Sequence, residues 1–236
     1  VTGAQAGPLA LVGSGEYLPQ MASLDASLLE GRAARYVQLA TAAVPDGPEV
    51  VERWHRLGIE QADRLGVTPV ILDVSTREDA ERASVAAEVA GAGLIYLSGG
   101  NPTFLADTLR DTALWSAIVA AWQSGSALAG CSAGAMAMCS WVPSLRHPRR
   151  DGRGLGLLPH LRVLPHFDVM GRRIPQPAMR VLLPAEESVD LFGIDEETAL
   201  VGGPFDWVVR GRQSVWRITA HDREQLPPGS LVHTPG

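Results

Sequence analysis

The stretch Ser126-Ala-Leu-Ala-Gly130-Cys131-Ser132-Ala133-Gly134-Ala135-Met-Ala-Met138 decides how the rest of the chain is read. It opens as a short apolar run and passes through G-x-S-x-G at Gly130 to Gly134. It then continues into Ala135 to Met138, residues that start a helix well. A strand that feeds a serine on a tight turn and then a helix is a nucleophile elbow. Such a turn admits only small neighbours, and Gly130, Ala133 and Gly134 supply them. The helix start aims free N–H groups at the serine, where an oxyanion would develop. Cys131 is the competing nucleophile. A pattern centred on it puts Ala129 and Ala133 where glycines are needed, so Ser132 is preferred. The plainer reading is a glycine-rich turn with a helix-capping serine, and the choice rests on partners for Ser132.

Four further apolar runs precede the elbow: Pro8 to Gly13, Arg35 to Thr41, Val67 to Val74 and Gly93 to Ser98. Each is bounded by glycine or polar turns, as fully buried parallel strands are. Between them, Glu49 to Leu65, Glu78 to Ala90 and Thr112 to Gln123 carry apolar residues at helical spacing. Short strand, helix, short strand predicts right-handed βαβ units and a mostly parallel sheet covered on both faces. Downstream, Leu161 to Pro165 reads as a strand and Ile174 to Leu183 as a helix. Leu191 to Ile194 and Thr198 to Val201 flank an acidic turn. Trp207 to Arg210 and Ser214 to Thr219 read as antiparallel strands around Gly211-Arg-Gln. With no linker and no internal repeat, one α/β domain over residues 1–236 is expected, against a split near residue 155.

Composition narrows the function classes. The 236 residues are 46% hydrophobic and 19% charged, a globular balance rather than a disordered one. The net charge of −6 gives no basic surface for sequence-independent nucleic-acid binding. Every cation is Arg, so Schiff-base and P-loop lysines are excluded. Two cysteines, Cys131 and Cys139, are too few for a Cys₄ zinc site or a disulfide scaffold. The first residues carry no basic segment leading into an apolar one, and no run is long enough to span a bilayer. A cytoplasmic protein is expected, without membrane contact.

A serine nucleophile needs a base. Of the six histidines, His166 leaves the carboxyl end of the Leu161 to Pro165 strand, where ligand chemistry collects in open parallel sheets. His160, at the start of that strand, suits a structural role better. The imidazole needs a carboxylate, and the turn Gly193-Ile-Asp-Glu-Glu-Thr198 offers Asp195 or Glu196, which spacing does not separate. A second oxyanion donor is expected from Leu97-Ser-Gly-Gly-Asn-Pro-Thr103, where Gly99 and Gly100 let backbone N–H groups approach a ligand.

Taken together, Ser98-Gly-Gly-Asn101, Gly130-Cys-Ser-Ala-Gly-Ala135, Pro165-His-Phe167 and Gly193-Ile-Asp-Glu196 make the chain resemble peptidase family S51. That family comprises the serine peptidases of the dipeptidase E (aspartyl dipeptidase) and cyanophycinase branches. The resemblance runs through residues 9 to 219. It implies a three-layer, flavodoxin-like fold of the class I glutamine amidotransferase type. It implies Ser132 as nucleophile, His166 as general base, Glu196 as the third triad member, and the Gly100 and Ala133 amides as oxyanion hole. No metal or organic cofactor is implied. Leu164-Pro165 before the histidine is closer to dipeptidase E, whereas Gly193 to Ala199 and Trp207 to Gly211 look more like cyanophycinase. The expected activity is a serine exopeptidase acting on short peptides with N-terminal aspartate. Arg149, Arg150, Arg172 and Arg173, with Asn101, are the candidate substrate contacts, because Arg clamps a carboxylate with two parallel hydrogen bonds. The alternatives are a β-aspartyl-arginine hydrolase and a non-catalytic binding module. Expected partners are a small peptide and, in a homodimer, a second copy of the chain.

Overall fold

The first strand shows how the sheet is built. Leu9 and Leu11 point into one hydrophobic layer, Ala10 and Val12 into the other, and all four are fully buried. A strand buried on both faces belongs at the centre of a sheet covered by helices. The computed structural model of the chain describes residues 5–142, 152–171, 174–175, 182 and 188–235. In chain order the strands are β1 (Leu9–Val12), β2 (Arg35–Leu39), β3 (Thr68–Leu72), β4 (Leu94–Leu97), β5 (Ala127–Cys131), β6 (Trp141–Val142) and β7 (Gly152–Arg153). They continue with β8 (Leu161–Leu164), β9 (Asp190–Ile194), β10 (Thr198–Gly202), β11 (Asp206–Gly211), β12 (Val215–Ile218), β13 (Arg223–Leu226) and β14 (Leu231–His233). Eight of these form one sheet in the order β14-β11-β10-β1-β5-β4-β2-β3. From β1 to β3 across this sheet the strands run parallel; β10, β11 and β14 extend it antiparallel beyond β1. A second sheet, β13-β12-β9-β8, pairs β8 and β9 in parallel and the others antiparallel.

Helices cover both faces of the large sheet, as the alternation of strands and helices predicts. Helices α1 (Ala22–Leu29) and α2 (Pro48–Leu65) bury Leu24, Leu28 and Ala62 against Ala10 and Val12. On the other face lie α3 (Arg77–Glu81), α4 (Ala83–Ala87), α5 (Pro102–Leu109), α6 (Ala113–Gln123) and α7 (Ala133–Met138). Their Leu105, Leu109, Leu114 and Ile118 pack with Leu9, Leu11, Ile95 and Leu97. The five predicted parallel strands fall where the apolar runs place them.

Three expectations need correction or completion. The segment Glu78 to Ala90 forms not one helix but α3 and α4, because Arg82 adopts an extended backbone while its carbonyl accepts from Val85 and Ala86. Helices α1 and α5 have no counterpart in the sequence reading, although Asn101 as N-cap and Pro102 just inside are start signals for α5. The strands around Gly211-Arg-Gln do not pair with each other: β11 joins β10 in the large sheet and β12 joins β9 in the small one. Between β9 and β12 the chain therefore crosses between the sheets twice, at residues 195–197 and at 212–214. Glycines permit both crossings. A Cβ on Gly13 would lie 2.2 Å from the Asp195 carbonyl oxygen, and one on Gly211 2.3 Å from that of Glu197. The predicted helix from Ile174 to Leu183 lies almost wholly outside the described residues.

Beneath α1 and α2 sits a buried carboxyl. Asp25 accepts from Gln61 Nε2 at 2.7 Å, and Arg64 donates to Gln61 Oε1 and to the Tyr17 carbonyl. Burial pushes the Asp25 carboxyl up to about 7. The folded protein therefore holds a proton that the unfolded chain releases, and stability falls as pH rises from about 4 to about 7. Asp25→Asn keeps an acceptor for Gln61 and removes the charge. It is expected to raise the melting temperature at pH 8, by about 2–4 °C for each kcal/mol recovered. Thermal melts of both proteins should converge towards pH 4, and an equal gap at the two pH values would refute the assignment.

Candidate active site

The elbow is made by two close approaches that exclude any side chain. A Cβ on Gly130 would lie 2.5 Å from the Gly134 carbonyl carbon, and one on Gly134 2.3 Å from the Leu97 carbonyl oxygen. Between them Ser132 takes φ 50° and ψ −105°, a region L-residues rarely occupy. Its N–H donates to the Val12 carbonyl at 2.9 Å and its carbonyl accepts from Met136. Ser132 is thereby held where the carboxyl ends of β1, β4 and β5 meet.

The second sheet brings the other two groups. Ser132 Oγ lies 3.1 Å from His166 Nε2, and His166 Nδ1 lies 2.9 Å from Glu196 Oε1. His166 also has a positive φ of 50°, and its carbonyl accepts from Val169 and Met170 in the turn after β8. Phe167, fully buried, fixes that turn: its N–H donates to the Ile194 carbonyl, and its ring fills the space over Gly171 and Gly193. Four of the five non-glycine residues with positive φ, namely Tyr17, Ser132, His166 and Glu197, border this site. Such strained residues cluster where geometry is imposed for function.

Glu196 rather than Asp195 meets the imidazole. Asp195 is fully buried and turned away, accepting from Trp216 Nε1 at 3.0 Å and from the Ser214 N–H at 3.2 Å. Glu196 is held through its backbone: its N–H donates to Asp168 Oδ1 at 3.0 Å, and its carbonyl accepts from Gln213 Nε2 and Thr198 Oγ1. Gln213 Nε2 also reaches Asp168 Oδ2 at 2.9 Å. Burial would raise the Asp168 carboxyl, but the Glu196 N–H and the Gln213 amide outweigh it and hold the group below the usual carboxylate range. Neither Asp168 nor Gln213 stands out in the sequence. A carboxylate two residues after the histidine was the available signal for the first.

The glycine-rich loop after β4 closes the other side. Gly100 has φ 139°, and a Cβ on it would lie 2.3 Å from the Ala42 carbonyl oxygen. The Gly99 N–H is taken by Glu16 Oε1 at 2.9 Å. Among the described residues the Gly100 N–H has no backbone acceptor, and Ala133, directly after Ser132, opens α7 without an intrahelical one. Asn101 caps α5, its Oδ1 accepting from the Phe104 N–H at 3.0 Å. His160 bonds the Pro204 carbonyl at 2.8 Å, in keeping with a structural role. Arg149, Arg150, Arg172 and Arg173 lie outside the described residues. Among the described residues no group of His, Cys, Asp and Glu gathers as a metal site, and no helix is long and apolar enough to cross a membrane.

The model of peptidase family S51 matches residues 9–203. A cyanophycinase from Trichormus variabilis is 30% identical over 201 residues, which are 80% of this chain and 60% of that protein. The chain thus spans about 60% of the length of this curated relative. The crystal structure of a peptidase from an acI-B1 actinobacterium is 42% identical, with a TM-score of 0.89 over 98% of both chains. A solved Listeria monocytogenes structure shares the fold at 17% identity, with a TM-score of 0.65 over 88% of this chain and all of its own.

Cys131, next to the serine, is a different kind of group. Its thiol is buried and donates to Glu16 Oε2 at 2.8 Å. Burial, reinforced by the Glu16 charge, pushes it well above the usual thiol range. It is expected to resist iodoacetamide at pH 8 in the folded protein and to react on unfolding, as peptide mass spectrometry would record. Rapid native alkylation would show the thiol to be accessible and ionised.

Proposed function

The chain belongs to peptidase family S51, and from that membership we propose a serine-type exopeptidase that cleaves short peptides after an N-terminal aspartate. The observation that carries the reading is the hydrogen-bonded series Ser132–His166–Glu196 on a backbone strained at two of its three members. In this mechanism Ser132 Oγ attacks the scissile carbonyl and its proton passes to His166 Nε2. Glu196, at Nδ1, fixes the tautomer and stabilises the imidazolium. The Gly100 and Ala133 N–H groups receive the oxyanion. His166 then gives its proton to the leaving amine, and water, activated by the same imidazole, releases the acyl group from Ser132.

The aspartate preference rests on the arginines of the sequence, Arg149, Arg150, Arg172 and Arg173, which flank His166 along the chain. A second reading, hydrolysis of β-aspartyl-arginine units, is favoured by the similarity to a cyanophycinase and by an acidic side chain, Glu16, beside Ser132. A binding module with an inert serine is the reading from another class. We also propose that the chain acts as one domain on a small peptide in the cytoplasm, with a homodimer as its assembly.

Ser132→Ala and His166→Ala are each expected to lower kcat by several orders of magnitude, since such groups act as a unit. Glu196→Gln should cost about two to four decades, because the amide no longer enforces the productive tautomer. A panel of Asp-X, Asn-X, Glu-X and β-Asp-Arg dipeptides separates the two substrates. Asp-X should exceed Asn-X by about two to three decades in kcat/KM if a buried guanidinium loses its anion, at 1.36 kcal/mol per decade. Equal rates on Asp-X and Asn-X would remove the aspartate reading. Failure of a fluorophosphonate to label Ser132 would remove the enzyme reading altogether.

A further inference from the structure

One acidic side chain beside Ser132 has no part in the proton transfers just described. Glu16 follows β1 on the segment Gly13-Ser-Gly15-Glu16 and is half-buried. Its two oxygens are fixed by two different strand ends: Oε1 accepts from the Gly99 N–H at 2.9 Å and Oε2 from Cys131 Sγ at 2.8 Å. Its place relative to the nucleophile follows from Gly99. A Cβ on that glycine would lie 2.8 Å from Glu16 Oε1 and 3.6 Å from Ser132 Cβ, so carboxylate and serine flank one spot. Both donors are neutral. The ion pairs formed among the described residues leave Glu16 out, and its charge is felt by Tyr17, Asp25 and Cys131. A fixed anion at this place opposes the negative charge that develops on the attacked carbonyl, unless a cation arrives with the substrate.

We propose that Glu16 is a specificity-determining residue that binds the α-ammonium group of the residue whose carbonyl Ser132 attacks. This deepens the exopeptidase reading and rests on Ser132 being the nucleophile. The α-ammonium is two bonds from the attacked carbonyl carbon, so a carboxylate flanking Ser132 is within its reach. A guanidinium on an arginyl substrate is many bonds away from that carbon. Each Glu16 oxygen has a second lone pair after its first hydrogen bond, and an ammonium has three donors to offer. Charge-assisted bonds of this kind are about twice as strong as neutral ones.

The test uses two diphenyl aminoalkylphosphonates that differ only in a free or an acetylated amine. In each, Ser132 Oγ bonds to phosphorus, one phenoxide leaves, and the serine proton ends on the phenol. The parent is expected to react about ten- to a hundredfold faster with the free-amine probe, the scale of one charge-assisted bond. Glu16→Gln keeps an acceptor for Gly99 and removes the charge, and it should bring the ratio close to one. Glu16→Asp, charged but shorter, should recover part of it. A Glu16→Gln variant that slows on both probes equally and keeps the parent's ratio would reduce Glu16 to a loop anchor and overturn the inference. A parent that labels at Ser132 without preference would do the same while leaving the exopeptidase mechanism standing. A parent labelled by neither probe would remove the serine nucleophile and this inference with it. An arginyl probe preferred with its α-amine acetylated would hand Glu16 to a guanidinium and overturn the α-ammonium assignment.

Discussion

Leu97 carbonyl oxygen and Gly134 Cα are pressed together so closely that not even a methyl group fits between them. This contact joins the end of β4 to the first turn of α7, and the companion contact at Gly130 folds α7 back over the end of β5. Adding a methyl in a packed interior costs about 1–3 kcal/mol where neighbours can yield. Here the neighbours are backbone, which yields little. With both glycines in place, Ser132 passes from strand to helix through positive φ, and α7 begins at the next residue, Ala133. The parallel order β1-β5-β4 then places the loops after β1 and β4 on either side of the serine.

His166 and Glu196 come from the second sheet, and the same economy of space governs them. Strands β8 and β9 are parallel neighbours, so the residues after their carboxyl ends, His166 and Glu196, emerge side by side. The turn that carries Glu196 is also the crossing from the small sheet to the large one. Its docking on β1 depends on Gly13, through the Asp195 carbonyl and the Glu197 N–H to Ser14. One short segment thus ties two sheets together and sets the Glu196 carboxylate at 2.9 Å from the imidazole.

What could be read from the sequence follows from which contacts are local. The five parallel strands and the elbow are legible because burial on both faces leaves continuous apolar runs and the elbow leaves paired glycines. His166 is legible because it ends an apolar strand. The choice between Asp195 and Glu196 is not, since it depends on Trp216 and Ser214, some twenty residues further on, drawing Asp195 inward. Asp168 and Gln213 escape for the same reason: their meeting spans 45 residues and two crossings between sheets. The split of β11 and β12 between sheets escapes because a hairpin and a crossing look alike around Gly211-Arg-Gln.

The carboxylates are distributed unevenly around Ser132, and this has a chemical consequence. Glu196, with Asp168 bonded to its backbone, lies behind His166, where negative charge stabilises an imidazolium. Glu16 lies on the side of the glycine loop, where the proposed mechanism forms the oxyanion. Opposite unit charges 4 Å apart attract by about 4 kcal/mol at the effective dielectric of a protein surface, and like charges repel as much. In the proposed mechanism the first arrangement aids proton transfer from Ser132, and the second opposes the charge that forms on the attacked carbonyl. On the proposed role of Glu16, a cation brought by the substrate converts the second from a cost into a gate, because a ligand carrying that charge relieves the repulsion. Discrimination obtained this way acts on the transition state as well as on binding, since the charge it must offset grows as the carbonyl is attacked.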